Sequence, residues 1–242
     1  MRMRKKKHAE ERLSRCAKYI FEGSDRPLDD PAGYMGHPGS PVFLEVGAGK
    51  GGFACGMMKN NPEVCYFAME RVTDCVVLAV ERAEAEGVSE RLKFITDTAD
   101  NLTRIFAQGT VDAVYLNFSD PWSKKGYAKR RLTHRRYLSV YMNLLRDGGK
   151  LRFKTDNVGL FDFSLEEIEA MGLKTDIVTR DLHASPYSEG NVVTEYEAAF
   201  SARGVTINML EVTKPAGFAP EIPEDLRADR VRYLYGKADA KS

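Results

Sequence analysis

Short apolar runs alternate along this chain with longer segments in which apolar residues recur at helical spacing. Runs typical of strands occupy residues 42–46, 64–70, 91–96, 111–118 and 150–156, and further strand-like runs follow at 173–180, 196–204 and 207–212. Segments of helical spacing occupy 73–87, 133–149 and 160–172, and each ends in glycine. Strands that recur with helices between them indicate βαβ units. The pattern therefore predicts an α/β fold with a Rossmann-like, mostly parallel sheet and helices on both faces.

Proline and glycine divide the chain into three parts. Residues 26–40 (RPLDDPAGYMGHPGS) are typical of an extended connection, and three prolines follow position 214. We therefore expect a basic N-terminal arm and connection over 1–40, the main domain over 41–213, and a C-terminal extension over 214–242. No internal repeat is evident. A chain of 242 residues with 43% hydrophobic residues is long enough for one sizeable core.

Positive charge is distributed unevenly, although the net charge is only +1. Residues 1–7 (MRMRKKK) carry five positive charges, and residues 124–136 carry seven with no acidic residue. Such local density favours contact with a polyanion, whereas a solvated charged face is the ordinary alternative. The first seven residues are expected to be disordered without such a partner.

The cysteines and the hydropathy of the chain favour a cytoplasmic protein. Cys16, Cys55, Cys65 and Cys75 are too far apart for CxxC chemistry, and we interpret them as reduced packing residues. The basic start is not followed by an apolar segment, and no apolar run approaches the length of about 18 residues that a membrane span needs. We therefore expect neither a signal peptide nor contact with a membrane.

A glycine-rich turn follows the first predicted strand. In EVGAGKGG, Gly47, Gly49 and Gly52 have the GxGxxG spacing, which allows a ligand to approach the start of a helix closely. A glycine turn that binds nothing is the alternative. Lys50 precedes another glycine and not Ser or Thr, so the turn is not a P-loop.

Two glutamates near this turn favour an adenosine-containing ligand. Glu70 ends the next strand, where a carboxylate can accept hydrogen bonds from a ribose of either NAD or S-adenosylmethionine. Glu45 lies inside an apolar run, where a carboxylate is costly unless a cation or hydrogen-bond donors meet it. The ammonium group of S-adenosylmethionine would do so, and a pyrophosphate would be repelled. A structural pair with a nearby Lys or Arg is the alternative.

Polar residues also stand at the ends of the later strands. They are Asp97 and Thr98, then the stretch from Asn117 to Asp120, then Asp156. Because the carboxyl ends of parallel strands share one edge of a sheet, these residues are expected to converge. Each alone could be a helix N-cap, but several at successive strand ends indicate one binding site.

The segments LNFSDPWSKKGYAKRRL, RFKTDN and TEYE, with EVGAGKG upstream, resemble the tRNA (guanine-N(7)-)-methyltransferase family of the TrmB type. The resemblance covers residues 41–204. It implies a class I methyltransferase fold with a seven-stranded sheet, S-adenosylmethionine as the methyl donor, no metal, and guanine at position 46 of the tRNA variable loop as the acceptor. Transfer RNA is the implied partner, and no protein partner is evident.

The resemblance also implies roles for individual residues. Asp120 would be the central catalytic carboxylate. The methyl donor would contact Glu45, Gly47, Gly49, Glu70, Arg71, Asp97, Thr98, Ala99, Asn117 and Asp120. The substrate would contact Lys124, Asp156, Thr194, Glu195, Tyr196 and Glu197, and the RNA would contact Gly126, Tyr127, Ala128, Lys129, Arg130 and Arg131.

This chain departs from the family pattern at two places. The family has an acid or Asn directly before an alanine after the third strand, where this chain has Thr98, so either Thr98 or Asp97 would contact the adenine. The family also commonly has Pro at the position of Ser123 and Arg-His at Gly126-Tyr127, so this chain differs from it within the segment that would contact RNA.

The implied reaction needs alignment more than proton transfer, because guanine N7 has a free lone pair. Asp120 can accept hydrogen bonds from the N–H groups of guanine, and Trp122 offers either a stacking face or a packing side chain. Three other functions stay open. The segment SDPW loosely resembles the signature of amino-methyltransferases that act on adenine or protein. The glycine turn would also suit a nicotinamide-dependent oxidoreductase. The basic run would also suit an RNA-binding protein without catalysis.

Overall fold

The computed structural model describes residues 8–228. Its strands are β1 (Val42–Val46), β2 (Cys65–Met69), β3 (Leu92–Ile95), β4 (Val111–Asn117), β5 (Leu145–Thr155), β6 (Ile177–Thr179) and β7 (Asn208–Thr213). They form one sheet in the order β3-β2-β1-β4-β5-β7-β6. Strands β1 to β5 pair in parallel, and β7 is antiparallel to β5 and β6. The predicted seven-stranded, mostly parallel sheet is confirmed.

The α-helices are α1 (Ala9–Arg15), α2 (Pro31–Tyr34), α3 (Gly52–Asn60), α4 (Thr73–Ala85), α5 (Leu102–Ile105), α6 (Arg135–Leu144), α7 (Val158–Ala170) and α8 (Glu195–Ser201). The predictions of helices over 73–87, 133–149 and 160–172 are confirmed by α4, α6 and α7, although α6 ends early because β5 already begins at Leu145.

Helices cover both faces of the sheet. Alternate residues of a strand point to opposite faces, and in β2 Phe67 belongs to one buried cluster while Tyr66 belongs to another. The Phe67 cluster contains side chains of α6 and α7, such as Leu138 and Phe161. The Tyr66 cluster contains side chains of α3 and α4. The central strands are therefore buried on both sides, as the apolar runs predict.

The prediction of a strand over 196–204 is wrong, because this segment belongs largely to α8. The Thr194 hydroxyl accepts a hydrogen bond from the Glu197 backbone N–H, and the Glu197 carboxylate accepts one from the Thr194 N–H. This capping box satisfies two backbone donors at the helix start and favours a helix over the alternation in YEAAF.

Residues from 8 to 40 pack against the sheet domain. Arg12 donates to both carboxylate oxygens of Glu81 in α4 at 2.7 and 2.6 Å, and the buried Tyr19 hydroxyl donates to the Val88 carbonyl at 2.6 Å. Ile20 forms a parallel bridge to Phe94 at the edge strand β3. Within the predicted extended connection 26–40, Pro31–Tyr34 form α2 and Leu28 forms a parallel bridge to Phe106, so this part is not simply extended. The division of the chain at 40 and 213 stays a prediction, and the basic arm 1–7 lies outside the described residues.

The four cysteines are free thiols, and Cys16, Cys55 and Cys65 are buried, as expected of packing residues. Between residues 8 and 228, no helix has the length and apolar character that a bilayer crossing requires.

Candidate active site

A cavity of about 560 Å³ opens at the carboxyl ends of β1 to β4. Seven of the ten predicted contacts of the methyl donor line it together: Gly47, Glu70, Arg71, Asp97, Thr98, Ala99 and Asp120. Phe118 and Ser119, from the predicted strand-end stretch Asn117 to Asp120, also line it, whereas sequence reasoning missed Leu132, Arg136 and Tyr137. Residues scattered over the sequence therefore meet at one edge of the sheet, as parallel-strand geometry requires.

The glycine turn is held in place by Glu70. One carboxylate oxygen accepts a hydrogen bond from the Gly49 N–H at 3.0 Å, and the other accepts one from the Val72 N–H at 2.9 Å. Gly51, with φ of 74°, precedes α3, and a Cβ at this position would lie 2.9 Å from the Ala79 Cβ. The start of α3 therefore packs closely on α4, while the Glu70 carboxylate keeps lone pairs for a ligand.

Glu45 and Asn117 lie outside the lining of the cavity. Glu45 is only 2% exposed, and its carboxylate accepts hydrogen bonds from the Asn117 amide at 3.0 Å and the Tyr66 hydroxyl at 3.4 Å. Burial raises the Glu45 pKa to about 7, against the opposing effects of the Asn117 bond and the charge of Lys154. The geometry favours the structural interpretation of Glu45, in which protein groups and a nearby lysine meet the carboxylate.

Asp97 and Thr98 differ in what they contact. One Asp97 carboxylate oxygen accepts from the Thr98 N–H at 2.7 Å and from the Asn101 amide at 2.6 Å, so it stabilises the turn that follows β3. The Thr98 hydroxyl is buried and makes no hydrogen bond within residues 8–228. A buried hydroxyl without a partner at a cavity wall is a group that a ligand can satisfy.

Asp120 lies in a turn with strained backbone. The residues on either side of it in the turn, Phe118 and Trp122, have φ values of 51° and 41°, which are uncommon for side chains of this size. The Asp120 side chain is largely exposed, and its carboxylate is 3.7 Å from the guanidinium of Arg71. The Ser119 hydroxyl is buried without a hydrogen-bond partner in the described part of the chain. Such strain at a cavity rim is typical of a functional site.

The basic run continues from this turn as the 3₁₀ segment Lys125–Arg130, where all residues except Ala128 are well exposed. The Arg130 guanidinium lies 5.1 Å from the Trp122 ring and 4.8 Å from the Tyr127 ring. Arg130 also lines the cavity, so the aromatic and cationic groups stand beside it. The Arg131 side chain, unlike that of Arg130, is directed at the protein backbone, since it donates to the carbonyls of Pro121 and Trp122.

The predicted substrate residues divide into exposed and buried groups. Burial and, to a lesser extent, the neighbouring Asp156 carboxylate raise the Tyr196 pKa, and the Tyr196 ring lies 5.0 Å from that of Phe118 in the strained turn. Glu195 is paired with Arg82 of α4. Glu197 is fully buried and cannot reach a substrate in this conformation. Lys124 is exposed and lies outside the cavity lining.

Glu197 is paired with Lys154 of β5, a residue that sequence reasoning missed. The Lys154 ammonium donates to the Glu197 carboxylate at 2.7 Å, to the Asn191 side-chain oxygen at 2.9 Å and to the Val192 carbonyl at 3.0 Å. Burial lowers the Lys154 pKa, and the Glu197 charge opposes this effect. In the sequence, the sign of this pair is the second lysine of the strand-like run KLRFKT, which stands among apolar residues near the carboxyl end of the strand.

Between residues 8 and 228, no three or more His, Cys, Asp or Glu side chains come together in a way that could hold a metal ion. Within the described residues, the site consists of a glycine turn, several carboxylates, two hydroxyls without hydrogen-bond partners and a rim of cations.

Comparison with known proteins agrees with this arrangement. Residues 39–210 match the model of a family described as putative methyltransferase. The tRNA (guanine-N(7)-)-methyltransferase of Bacillus subtilis (strain 168) is 41% identical over 218 residues, which cover 88% of this chain and 98% of the relative.

Solved methyltransferase structures share the fold. An antibiotic related methyltransferase has a TM-score of 0.57 at 16% identity, with 80% of this chain and 98% of that chain covered. The 16S rRNA methyltransferase KamB has a TM-score of 0.53 at 14% identity, with 88% and 97% covered. At such identities the structural likeness concerns the fold alone.

Proposed function

The chain belongs to the tRNA (guanine-N(7)-)-methyltransferase family, and from this premise we propose that it methylates guanine N7 at position 46 of the tRNA variable loop, in the cavity described above. It is an S-adenosylmethionine-dependent tRNA methyltransferase. The observation that carries the assignment of the site is the convergence of Glu70, Thr98 and Asp120 on one cavity. A volume of about 560 Å³ lies within the range of small-molecule sites.

The residues present fit S-adenosylmethionine. Glu70 has lone pairs left for ribose hydroxyls, and Gly47 brings the backbone to the cavity wall. The buried hydroxyls of Thr98 and Ser119 lack partners within the described residues and would gain them from a polar ligand. When bound, the cofactor supplies a methyl group on a positively charged sulfur, which the carboxylates of this site complement.

The protein contributes mainly alignment. Guanine N7 carries a lone pair at neutral pH, so no side chain has to remove a proton before attack. Asp120 accepts hydrogen bonds from the N–H donors of guanine and fixes the base relative to the methyl group. Holding the base in a reactive orientation toward the bound methyl donor would contribute up to about 7–11 kcal/mol.

The rim of the cavity suits a folded RNA. Lys124, Lys125, Lys129 and Arg130 are exposed and follow Asp120 within ten residues, and Arg130 lines the same cavity as Asp120, so these cations would contact phosphates while Asp120 contacts the base. Tyr196 in α8 approaches the same turn, and Tyr196 and Asp156, which follows β5, would contact the substrate nucleotide. We place the protein in the cytoplasm, with tRNA as its partner.

Methyl transfer to unmodified tRNA tests this function. Purified protein is incubated with labelled S-adenosylmethionine and a tRNA transcript, and the label is expected in N7-methylguanosine. A matched transcript with 7-deazaguanosine at position 46 lacks the acceptor nitrogen and should receive no label. Equal labelling of both transcripts, or label in adenosine, would contradict the proposal. An RNA-binding protein without catalysis would bind both transcripts and label neither.

A further inference from the structure

Arg131 is engaged inside the protein, although it belongs to the basic run. Its Nε donates to the Pro121 carbonyl at 2.9 Å, and its Nη2 donates to the Trp122 carbonyl at 3.3 Å. The guanidinium also lies 4.3 Å from the ring centroid of Phe163 in α7. A side chain with its donors directed at two backbone carbonyls and its plane near an aromatic ring is poorly disposed to bind a phosphate.

The two carbonyls belong to the turn that carries Asp120. Phe118 and Trp122 adopt left-handed backbone conformations in this turn, and such conformations persist only where the surroundings hold them. At the start of the turn the Phe118 N–H donates to the Lys154 carbonyl at 2.9 Å. The Phe118 ring also contacts Tyr196. Arg131 supplies the corresponding contacts at the far end of the turn.

We propose that Arg131 is a positioning residue that holds the Asp120–Trp122 turn in the geometry needed for methyl transfer, and that it does not bind a tRNA phosphate. The role of Asp120 in this inference rests on the proposed function. Because the planar guanidinium serves two carbonyls at once, a lysine with a single ammonium centre would replace it only in part.

The chain contains a reporter for this turn, since Trp122 is its only tryptophan. The test compares Arg131→Ala, Arg131→Lys and wild type by tryptophan fluorescence, acrylamide quenching, kcat at saturating tRNA, and the salt dependence of tRNA binding. Lys129→Ala is the matched reference for loss of an exposed cation from the same run.

Loss of the turn geometry has a distinct signature. In Arg131→Ala we expect stronger quenching of Trp122 and a kcat about a hundredfold lower, as displacements near 1 Å can produce. Arg131→Lys should show a smaller loss of the same kind. Neither variant should change the slope of log Kd against log salt, whereas Lys129→Ala should reduce its magnitude by about 1.

The opposite pattern would overturn the proposal: a salt slope reduced by about 1 in both Arg131 variants, with wild-type fluorescence and wild-type kcat at saturating tRNA. If Arg131→Ala fails to fold, Arg131→Lys carries the comparison. A wild-type protein without methyl transfer to tRNA would refute the proposed function instead, and the fluorescence measurements would still show whether Arg131 holds the turn.

Discussion

The Lys154 ammonium lies 2.7 Å from the Glu197 carboxylate, and both side chains are buried. Lys154 is in β5 and Glu197 is in the first turn of α8, so the pair fixes the helix to the sheet. Asn191 and Val192 provide further oxygen atoms for the ammonium, which leaves the buried charge fully hydrogen-bonded. The segment that carries Tyr196 is thereby held against the strained turn.

Removal of one partner of this pair should be strongly destabilising. We expect Glu197→Ala to lower the free energy of unfolding by about 3–5 kcal/mol, because it leaves a buried, unpaired lysine. The control is Glu195→Ala, which removes the exposed pair with Arg82 and should cost at most about 1 kcal/mol. Denaturant titration measures both. Equal losses in the two variants would contradict the structural importance of the buried pair.

Glu45 should make stability depend on pH. Its pKa rises from the ordinary 4.5 to about 7 in the folded protein, so the folded state binds the proton more tightly than the unfolded state. The stability that protonated Glu45 provides is present at low pH and is lost as pH rises from 4.5 through 7.

Glu45→Gln cannot ionise and should therefore gain stability relative to wild type with rising pH, by up to about 3 kcal/mol. Denaturant midpoints of both proteins on each side of this pH window measure the difference. Gln keeps the side-chain oxygen that accepts from Asn117, so the substitution tests ionisation more than packing. A stability difference that is independent of pH would be incompatible with the raised pKa.

Thr98 and Asp97 can be separated by their effects on cofactor affinity. Thr98→Val keeps the shape and removes the unpartnered hydroxyl, and we expect S-adenosylhomocysteine binding to weaken about 3- to 10-fold, the value of one hydrogen bond. Isothermal titration calorimetry measures this change. Asp97→Asn is the comparison, because Asp97 supports the turn after β3. Unchanged affinity in Thr98→Val with a large loss in Asp97→Asn would assign the adenine contact to Asp97.

Asp120→Asn should separate catalysis from cofactor binding. The side chain is exposed, so we expect a stability change within about 0.5 kcal/mol. Methyl transfer should fall by about a hundredfold or more, because the amide offers the guanine N–H groups one acceptor oxygen where the carboxylate offers two and a negative charge. S-adenosylhomocysteine affinity should stay near that of wild type. Wild-type turnover in this variant would remove Asp120 from the central role.

Binding of tRNA should depend on salt through four cations of the basic run, without a contribution from Arg131. With Arg131 directed at the protein, Lys124, Lys125, Lys129 and Arg130 are the candidates for phosphate contacts. Four neutralised phosphates correspond to a slope of log K against log salt of about −2.8 to −3.6. Filter binding at several salt concentrations gives the slope. A slope near zero would show that the basic run does not face RNA.

The fold was accessible from sequence because its signals are local and repeated. The apolar run 42–46 has the same bounds as β1. The segment 73–87 contains α4 and the glycine that follows it. The misassignment of 196–204 arose where a seven-residue helix has too few turns for a clear period. The capping box from Thr194 to Glu197 was the better signal, since it fixes the helix start through backbone hydrogen bonds.

Only those parts of the site that follow from the order of the strands could be predicted from sequence. Strand order brings Glu70, Asp97 and Asp120 to one edge, and this follows from parallel topology alone. The direction of Arg131 does not follow from its neighbours in sequence, because its partners are backbone carbonyls nine or ten residues away. Lys154 resembles any other lysine in a strand until the fold places Glu197 beside it. Tertiary contacts of this kind carry no periodic signal.

The bridge between Ile20 and Phe94 has a consequence for solubility. At one border of the sheet, β6 has only three residues and gives another chain little to pair with. At the other border, β3 is protected by the segment around Ile20, where the Phe21 N–H occupies the Phe94 carbonyl. Shortening the chain past Phe21 would uncover these backbone groups and create a template for intermolecular β-pairing and aggregation.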